Sequence, residues 1–188
     1  LPICRDEGRT PKIDRGTLEA GIAAIVRTWS DGLKDALDAE KAGPAARALA
    51  ERYAEAFGAA YRERYSAEDA LVDIDMLQKL SAERPRAVNL YRRDGDGPTR
   101  ANLKLFSRGA AISLSERVPM LENMGFRVVN ERTFNITPQQ NGGAGNDTRV
   151  WLHDMTLERA SGGEIDIEHL DPTIEAALMA QFRGFTES

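Results

Sequence analysis

Cysteine is nearly absent from this chain, which has only Cys4 among its 188 residues. A single thiol forms no disulfide within the chain and supplies no cysteine-based metal site, and such usage is typical of reducing compartments. No apolar run reaches the length of a membrane span. Residues 1–10 also lack the basic head and apolar run of a signal peptide. We therefore expect a cytoplasmic protein without a membrane partner.

Positive charge and aromatic rings are scarce as well. The chain has 25 Lys and Arg residues against 30 Asp and Glu residues, a formal net charge of −5, and 6% aromatic residues. Proteins that bind nucleic acids usually present a basic face, and RNA-binding sheets add clustered aromatic rings. A role in nucleic-acid binding is therefore disfavoured, although the 41% of hydrophobic residues suffice for a folded core.

The N-terminal part of the chain carries the pattern of three helices. Residues 17–38 repeat apolar side chains at helical spacing, and Gly43 with Pro44 ends this pattern and begins the next. Ser66 is a helix cap, with acidic residues in the turn that follows. The side chains predicted to be buried in the second and third helices are Leu49, Tyr53, Phe57, Tyr61, Ala70, Ile74, Leu77 and Leu80.

After Pro85 the apolar period changes from helical spacing to two. Residues 87–93 and 101–107 alternate in the manner of strands, and the Asp94-Gly95-Asp96-Gly97-Pro98 sequence between them is a strong turn signal. The two strands are therefore predicted to pair as a hairpin.

A second helix-and-hairpin unit follows. Residues 114–124 are predicted to form a helix that Ser113 or Ser115 caps and Gly125 ends. Residues 126–136 and 148–159 are two further strands around a glycine-rich loop, and 164–183 contain a last helix.

The order from residue 66 is helix, strand, strand, helix, strand, strand. A ferredoxin-like plan gives this order when its first strand is moved to the end, because its first and last strands are antiparallel neighbours. We therefore predict an α+β fold with a permuted ferredoxin-like sheet of about four antiparallel strands and two helices. An N-terminal helical pair and a C-terminal helix complete it. The predicted divisions are a helical connector at 1–65, the α+β module at 66–160 and a helical connector at 161–188.

The groups that carry out chemistry in other proteins have ordinary structural explanations here. Asp94-Gly95-Asp96 lacks the Gly and Glu that a calcium loop needs at its later positions. The glycines of 142–145 are flanked by strands rather than by a strand and a helix, as a phosphate loop requires. His153 and His169 lack the spacing of metal ligands. We expect no catalytic residue and no metal site.

Several segments nonetheless resemble one protein family, the bacterial large NAD-specific glutamate dehydrogenases. The most distinctive is the run from Ile112-Ser113-Leu114-Ser115-Glu116 through Pro119-Met120-Leu121-Glu122-Asn123 to Gly125-Phe126-Arg127-Val128. The other segments are Trp29-Ser30-Asp31-Gly32-Leu33, Arg62-Glu63, Tyr65-Ser66, Ala70-Leu71-Val72-Asp73-Ile74 and Phe182-Arg183-Gly184.

The resemblance implies a part of an enzyme that converts L-glutamate, NAD and water to 2-oxoglutarate, ammonium and NADH. In that family the catalytic and NAD-binding domains lie downstream of this stretch, which corresponds to the ACT-like modules and helical connectors. The chain is thus expected to be a non-catalytic regulatory or assembly segment cut from a longer polypeptide, with NAD bound elsewhere in the parent protein and no cofactor of its own. Its expected partners are the remainder of the polypeptide, other subunits of a homo-oligomer and a small amino-acid effector. The alternatives are a stand-alone amino-acid-sensing ACT-like domain and, less favoured, a ferredoxin-like RNA-binding module.

Where ACT-type modules bind an effector, they often do so at a strand-to-helix loop. The matching positions here are Arg108, Gly109, Ser113 and Ser115. Gly109 permits close backbone approach, the helix N-terminus attracts a carboxylate, and Arg108 adds a bidentate contact. The alternative is that Gly109 makes an ordinary turn and the serines only cap the helix.

Overall fold

The computed structural model describes residues 28–41, 43–139 and 149–168, together with residues 170, 174, 176, 177 and 180. The predictions for Cys4, for 17–27, for the glycine-rich loop at 141–146 and for His169 lie outside the described residues. None of the helices in these ranges is long and apolar enough to cross a membrane.

Within the described residues, four helices precede the sheet, one more than the apolar pattern predicts. They are α1 (Trp29–Lys41), α2 (Gly43–Tyr53), α3 (Ala59–Arg64) and α4 (Asp69–Gln78). The predicted second helix is divided because Phe57 leaves the helical path and forms an isolated antiparallel bridge with Ile136 of the sheet. The predicted cap, Ser66, lies two residues before Glu68, which is the N-cap position of α4. The Ser66 hydroxyl accepts the Asp69 N–H at 3.1 Å, and the Asp69 carboxylate accepts the Ser66 N–H at 3.0 Å.

The few aromatic residues are concentrated between these helices and the sheet. Phe57 and Tyr61 have ring centroids 4.5 Å apart, and Tyr61 and Tyr65 are 4.7 Å apart. Trp29 and Phe134 pack at the sides of this stack, and the indole N–H of Trp29 donates to the Tyr65 carbonyl at 2.9 Å. A small number of rings thus supplies the largest buried side chains of one core.

The sheet has four strands, β1 (Arg86–Tyr91), β2 (Arg100–Arg108), β3 (Phe126–Ile136) and β4 (Val150–Arg159). Their order is β1-β2-β4-β3, and every neighbouring pair is antiparallel. This is the order of a ferredoxin-like sheet whose first strand has been moved to the end of the chain. The predicted α+β, ACT-like fold and its two hairpins, β1–β2 and β3–β4, are confirmed.

Helices cover both faces of the sheet. Because side chains alternate along a strand, the adjacent residues Phe106 and Leu105 belong to opposite cores. The first core joins the sheet to α1, α2 and α4. The second joins it to α5 (Leu114–Asn123) and to Ile165 and Ile174 of the C-terminal part. The face of the sheet that α5 covers is therefore shared with residues of the C-terminal part, whereas α4 packs on the other face.

Helix α5 begins and ends where the sequence predicts. Ser113 and Glu116 form a capping box at its start, and Gly125 follows its end with φ +81°. Leu121 is buried with 1% of its surface exposed, whereas Met124 is only half-buried.

Candidate functional site

The loop predicted to bind an effector lies between β2 and α5. Arg108 is the last residue of β2, and Gly109 adopts φ +81° while its N–H donates to the Arg149 carbonyl at 2.8 Å. The Ser113 and Ser115 hydroxyls are 3.0 Å apart at the start of the helix. The fold therefore brings the four predicted residues to one exposed loop. A carboxylate is already present there, because Glu116 accepts the Ser113 N–H at 3.2 Å.

A buried polar cluster that the sequence analysis did not identify lies between the helices and the sheet. Its first part is centred on Asp73 of α4, which is fully buried. Lys104 of β2 donates to the two carboxylate oxygens of Asp73 at 2.8 Å and 2.7 Å, and the Tyr61 hydroxyl donates at 2.5 Å. Burial raises the pKa of Asp73 above its usual range, and the Lys104 ammonium opposes that shift.

The second part of the cluster is centred on Asp154 of β4, which is 3% exposed. Tyr65 and Arg93 both donate to its Oδ2, and the Tyr91 hydroxyl donates to its Oδ1 at 3.0 Å. Burial, followed by the charge of Asp154, raises the pKa of the Tyr65 and Tyr91 hydroxyls, so both remain protonated donors.

The two parts meet at the Lys104 ammonium, which lies 4.1 Å from the Tyr65 ring centroid and 5.3 Å from that of Tyr91. Each buried carboxylate thus has one cationic partner, and cation–π contacts connect the two pairs. We call Tyr61, Tyr65, Asp73, Tyr91, Arg93, Lys104 and Asp154 the helix–sheet cluster. Because α3, α4 and three parts of the sheet contribute to it, its contacts fix the helices against the sheet.

A smaller cluster lies on the opposite face, beside α5. Arg117 donates to Glu131 of β3 and to the Ile112 carbonyl. His153 is 1% exposed, and its Nδ1 lies 3.0 Å from the Thr133 hydroxyl and 3.3 Å from the Glu131 carboxylate. Burial, and then the charge of Arg117, lowers the pKa of His153, although Glu131 acts in the opposite direction. His153 is therefore a packed sheet residue.

The geometry of both clusters is that of structural contacts. The carboxylates of Asp73 and Asp154 are occupied by donors from the chain itself, and within the described residues no group of His, Cys, Asp and Glu side chains could hold a metal ion. The Arg93 guanidinium likewise pairs with buried Asp154. The sequence pattern gives only a weak indication of the helix–sheet cluster. Asn102 and Lys104 alternate with apolar residues on β2, and a strand with one solvated face has the same pattern.

Comparison with known proteins identifies the family. Residues 85–170 match the model described as glutamate dehydrogenase, ACT3 domain, and residues 39–80 match the one described as glutamate dehydrogenase, helical motif 2. The first match covers the four strands, α5 and residues such as Ile165 that pack on the same face as α5. The second match covers α2, α3 and α4.

Curated relatives agree with these models. The chain is 35% identical over 93% of its length to the NAD-specific glutamate dehydrogenase of Halomonas elongata, and 30% identical over 94% to that of Pseudomonas aeruginosa. It is 36% identical over 66% of its length to that of Mycobacterium tuberculosis. The matches span 10%, 10% and 7% of these relatives, respectively. The chain therefore belongs to the family of large NAD-specific glutamate dehydrogenases, in the region of helical motif 2 and the ACT3 domain.

Proposed function

We propose that this chain is a non-catalytic regulatory or assembly segment of a cytoplasmic, homo-oligomeric enzyme that oxidises L-glutamate with NAD and water to 2-oxoglutarate, ammonium and NADH. NAD is bound by another part of that protein, and the partners of this segment are the rest of the polypeptide and neighbouring subunits. The observation that supports this role most directly is the helix–sheet cluster. The buried ion pairs of this cluster join the helical motif to the ACT-like sheet. Both carboxylates of the cluster accept hydrogen bonds from donors of the chain itself.

A buried charge network favours one arrangement of the elements that it connects. Desolvating Asp73, Lys104 and Asp154 has a cost that their mutual contacts offset only in one arrangement of helices and sheet. Displacing α4 from β2 by a few ångströms would leave Asp73 and Lys104 buried and unpaired. The segment is thereby suited to transmit a displacement as a unit, or to hold neighbouring parts of the enzyme at fixed distances.

A first experiment measures catalysis by the purified 188-residue chain. Incubation with L-glutamate and NAD, followed by absorbance of NADH, is expected to give no product. Production of NADH would show that the segment is itself catalytic.

A second experiment compares two lysine variants of the full-length enzyme. Lys104→Met removes the buried partner of Asp73, whereas Lys41→Met removes the partner of Asp75 in an ion pair whose side chains are 31% and 46% exposed. The first is expected to change the oligomeric state or the response to amino-acid effectors while the KM values for glutamate and NAD stay constant, and the second to change neither. Equal assembly and equal effector response in both variants would refute the proposed role.

The regulatory form of this proposal includes an amino-acid effector at the loop of Arg108, Gly109, Ser113 and Ser115. Its support is that the fold places these residues together at a strand-to-helix junction. Arg108→Ala in the full-length enzyme is expected to raise the amino-acid concentration that gives half of the maximal effect. If the concentration is unchanged in a folded variant, the serines and Glu116 serve only as a cap.

A further inference from the structure

A cleft lies on the face of the sheet that carries the helix–sheet cluster, at its β3 edge and away from the β2–α5 loop. Its volume is about 460 Å³, and its lining comes from α3 and β3. The lining residues are Ala60, Glu63, Arg64, Arg132, Thr133 and Phe134. Two guanidinium groups and one carboxylate therefore border one small space, which gives it a net positive charge.

Arg64 is held in place without an acceptor for its Nε–H. Its guanidinium carbon lies 5.8 Å from the centroid of the Tyr65 ring, a stacking contact that restrains the group. Its Nε is fully buried and has no hydrogen-bond partner within the described part of the chain. A buried donor without an acceptor is costly to the folded protein.

Arg132 has no carboxylate partner among the described residues either. It lies directly opposite Asp154 in the β3–β4 register, but the oxygens of Asp154 accept from Tyr65, Tyr91 and Arg93. Elsewhere on the same strand, Arg127 pairs with Glu158 at 2.6 Å. The positive charge of Arg132 is therefore not needed to compensate the helix–sheet cluster.

We propose that this cleft is a binding site for a small oxyanion, a carboxylate or a phosphate, held between Arg64 and Arg132. Planar guanidinium groups recognise both anions through paired N–H donors. Phe134 provides a short apolar wall for the rest of the ligand, and Glu63 disfavours a second negative charge on its side of the cleft. This inference goes beyond the regulatory or assembly role. It does not depend on that role, because the cleft could bind an anion whatever the segment does in the larger protein.

The test is a titration of the 188-residue chain with inorganic phosphate and with succinate, followed through the NMR signals of the arginine Nε–H groups. A saturable shift of the Arg64 signal is expected with at least one of the two anions, and the anion that binds more tightly identifies the ligand class. Arg64→Gln and Arg132→Gln are each expected to weaken binding about tenfold to a hundredfold, since each removes a charged hydrogen-bond donor.

Arg127→Gln is the matched control, because it removes the same charge from the same strand outside the cleft. It is expected to leave the affinity unchanged. The proposal is overturned if sodium chloride at equal ionic strength gives the same shifts, if neither anion saturates, or if Arg127→Gln weakens binding as much as the cleft variants. Arg132 is exposed, so Arg132→Gln remains decisive even if Arg64→Gln fails to fold.

Discussion

The ammonium of Lys104 on β2 donates to both carboxylate oxygens of Asp73 on α4, at 2.8 Å and 2.7 Å, with side chains that are 5% and 0% exposed. This pair is a direct ionic link between the helical motif and the ACT-like sheet. Both side chains are almost completely buried, so each charge depends on the other for its stability in the folded protein.

Removing one member of this pair is expected to be more damaging than removing both. Lys104→Met should lower the free energy of unfolding by about 3–5 kcal/mol, because it leaves the Asp73 carboxylate buried and without its cation. The double variant Lys104→Met/Asp73→Leu should recover a large part of this loss. Urea unfolding followed by circular dichroism measures both. If the losses measured for Lys104→Met alone and for Asp73→Leu alone add up to the loss in the double variant, the two residues are not coupled.

The exposed pair of Lys41 and Asp75 provides the control for that comparison. Its Nζ–Oδ1 distance is also 2.8 Å, but both side chains contact solvent. Lys41→Met is therefore expected to lower the free energy of unfolding by no more than about 1 kcal/mol.

Two tyrosines test the contribution of buried hydroxyl groups. Tyr65→Phe is expected to lower the free energy of unfolding by about 1.5–3 kcal/mol, because it removes a hydrogen bond to the buried Asp154 carboxylate. The Tyr53 hydroxyl is buried with no partner among the described residues, so Tyr53→Phe is expected to be neutral or stabilising. Equal losses in the same unfolding assay would contradict the assignment of the Tyr65–Asp154 contact.

Two leucines of α5 test its packing on the second core. Leu121→Ala is expected to cost about 2–5 kcal/mol, since its side chain is buried. Leu114 is 59% exposed on the same helix, so Leu114→Ala is expected to change the free energy of unfolding by no more than about 0.5 kcal/mol. Unfolding midpoints that move equally would mean that α5 packs through a different face.

His153 is expected to make the stability depend on pH. The folded state lowers its pKa, so between that pKa and the unfolded value of about 6.5 the unfolded chain binds a proton that the folded chain does not. The free energy of unfolding should therefore fall as the pH decreases through this window. Protonation would also place a second N–H at the buried Nε2, which has no acceptor among the described residues.

The measurement is urea unfolding at pH values from about 7.5 to 5.5, a range above the titration of ordinary carboxyl groups. The variant His153→Gln should lose most of the pH dependence in this range, whatever its absolute stability. A slope that is the same with and without His153 would show that another group is responsible.

Much of the fold could be predicted from local sequence signals. The change of apolar period after Pro85, the turn at 94–98 and the caps at Ser66, Ser113 and Gly125 each reflect interactions between residues close in sequence. These signals gave the order of helices and strands, and that order indicated the permuted sheet. The division between α2 and α3 was missed because it results from the distant bridge between Phe57 and Ile136.

The order of helical and alternating segments by itself determined the fold class, and the segment around 112–128 indicated the family. Only the tertiary structure decided which charges are paired and which are left without a partner. Lys104 meets Asp73 across 31 residues, and Arg93 meets Asp154 across 61, through the docking of helices on a sheet face. The same docking leaves Arg64 and Arg132 at one cleft. A polar residue at every second position of a strand has the same sequence pattern whether that face meets water or a helix. The difference is set by long-range packing, which has no local signal.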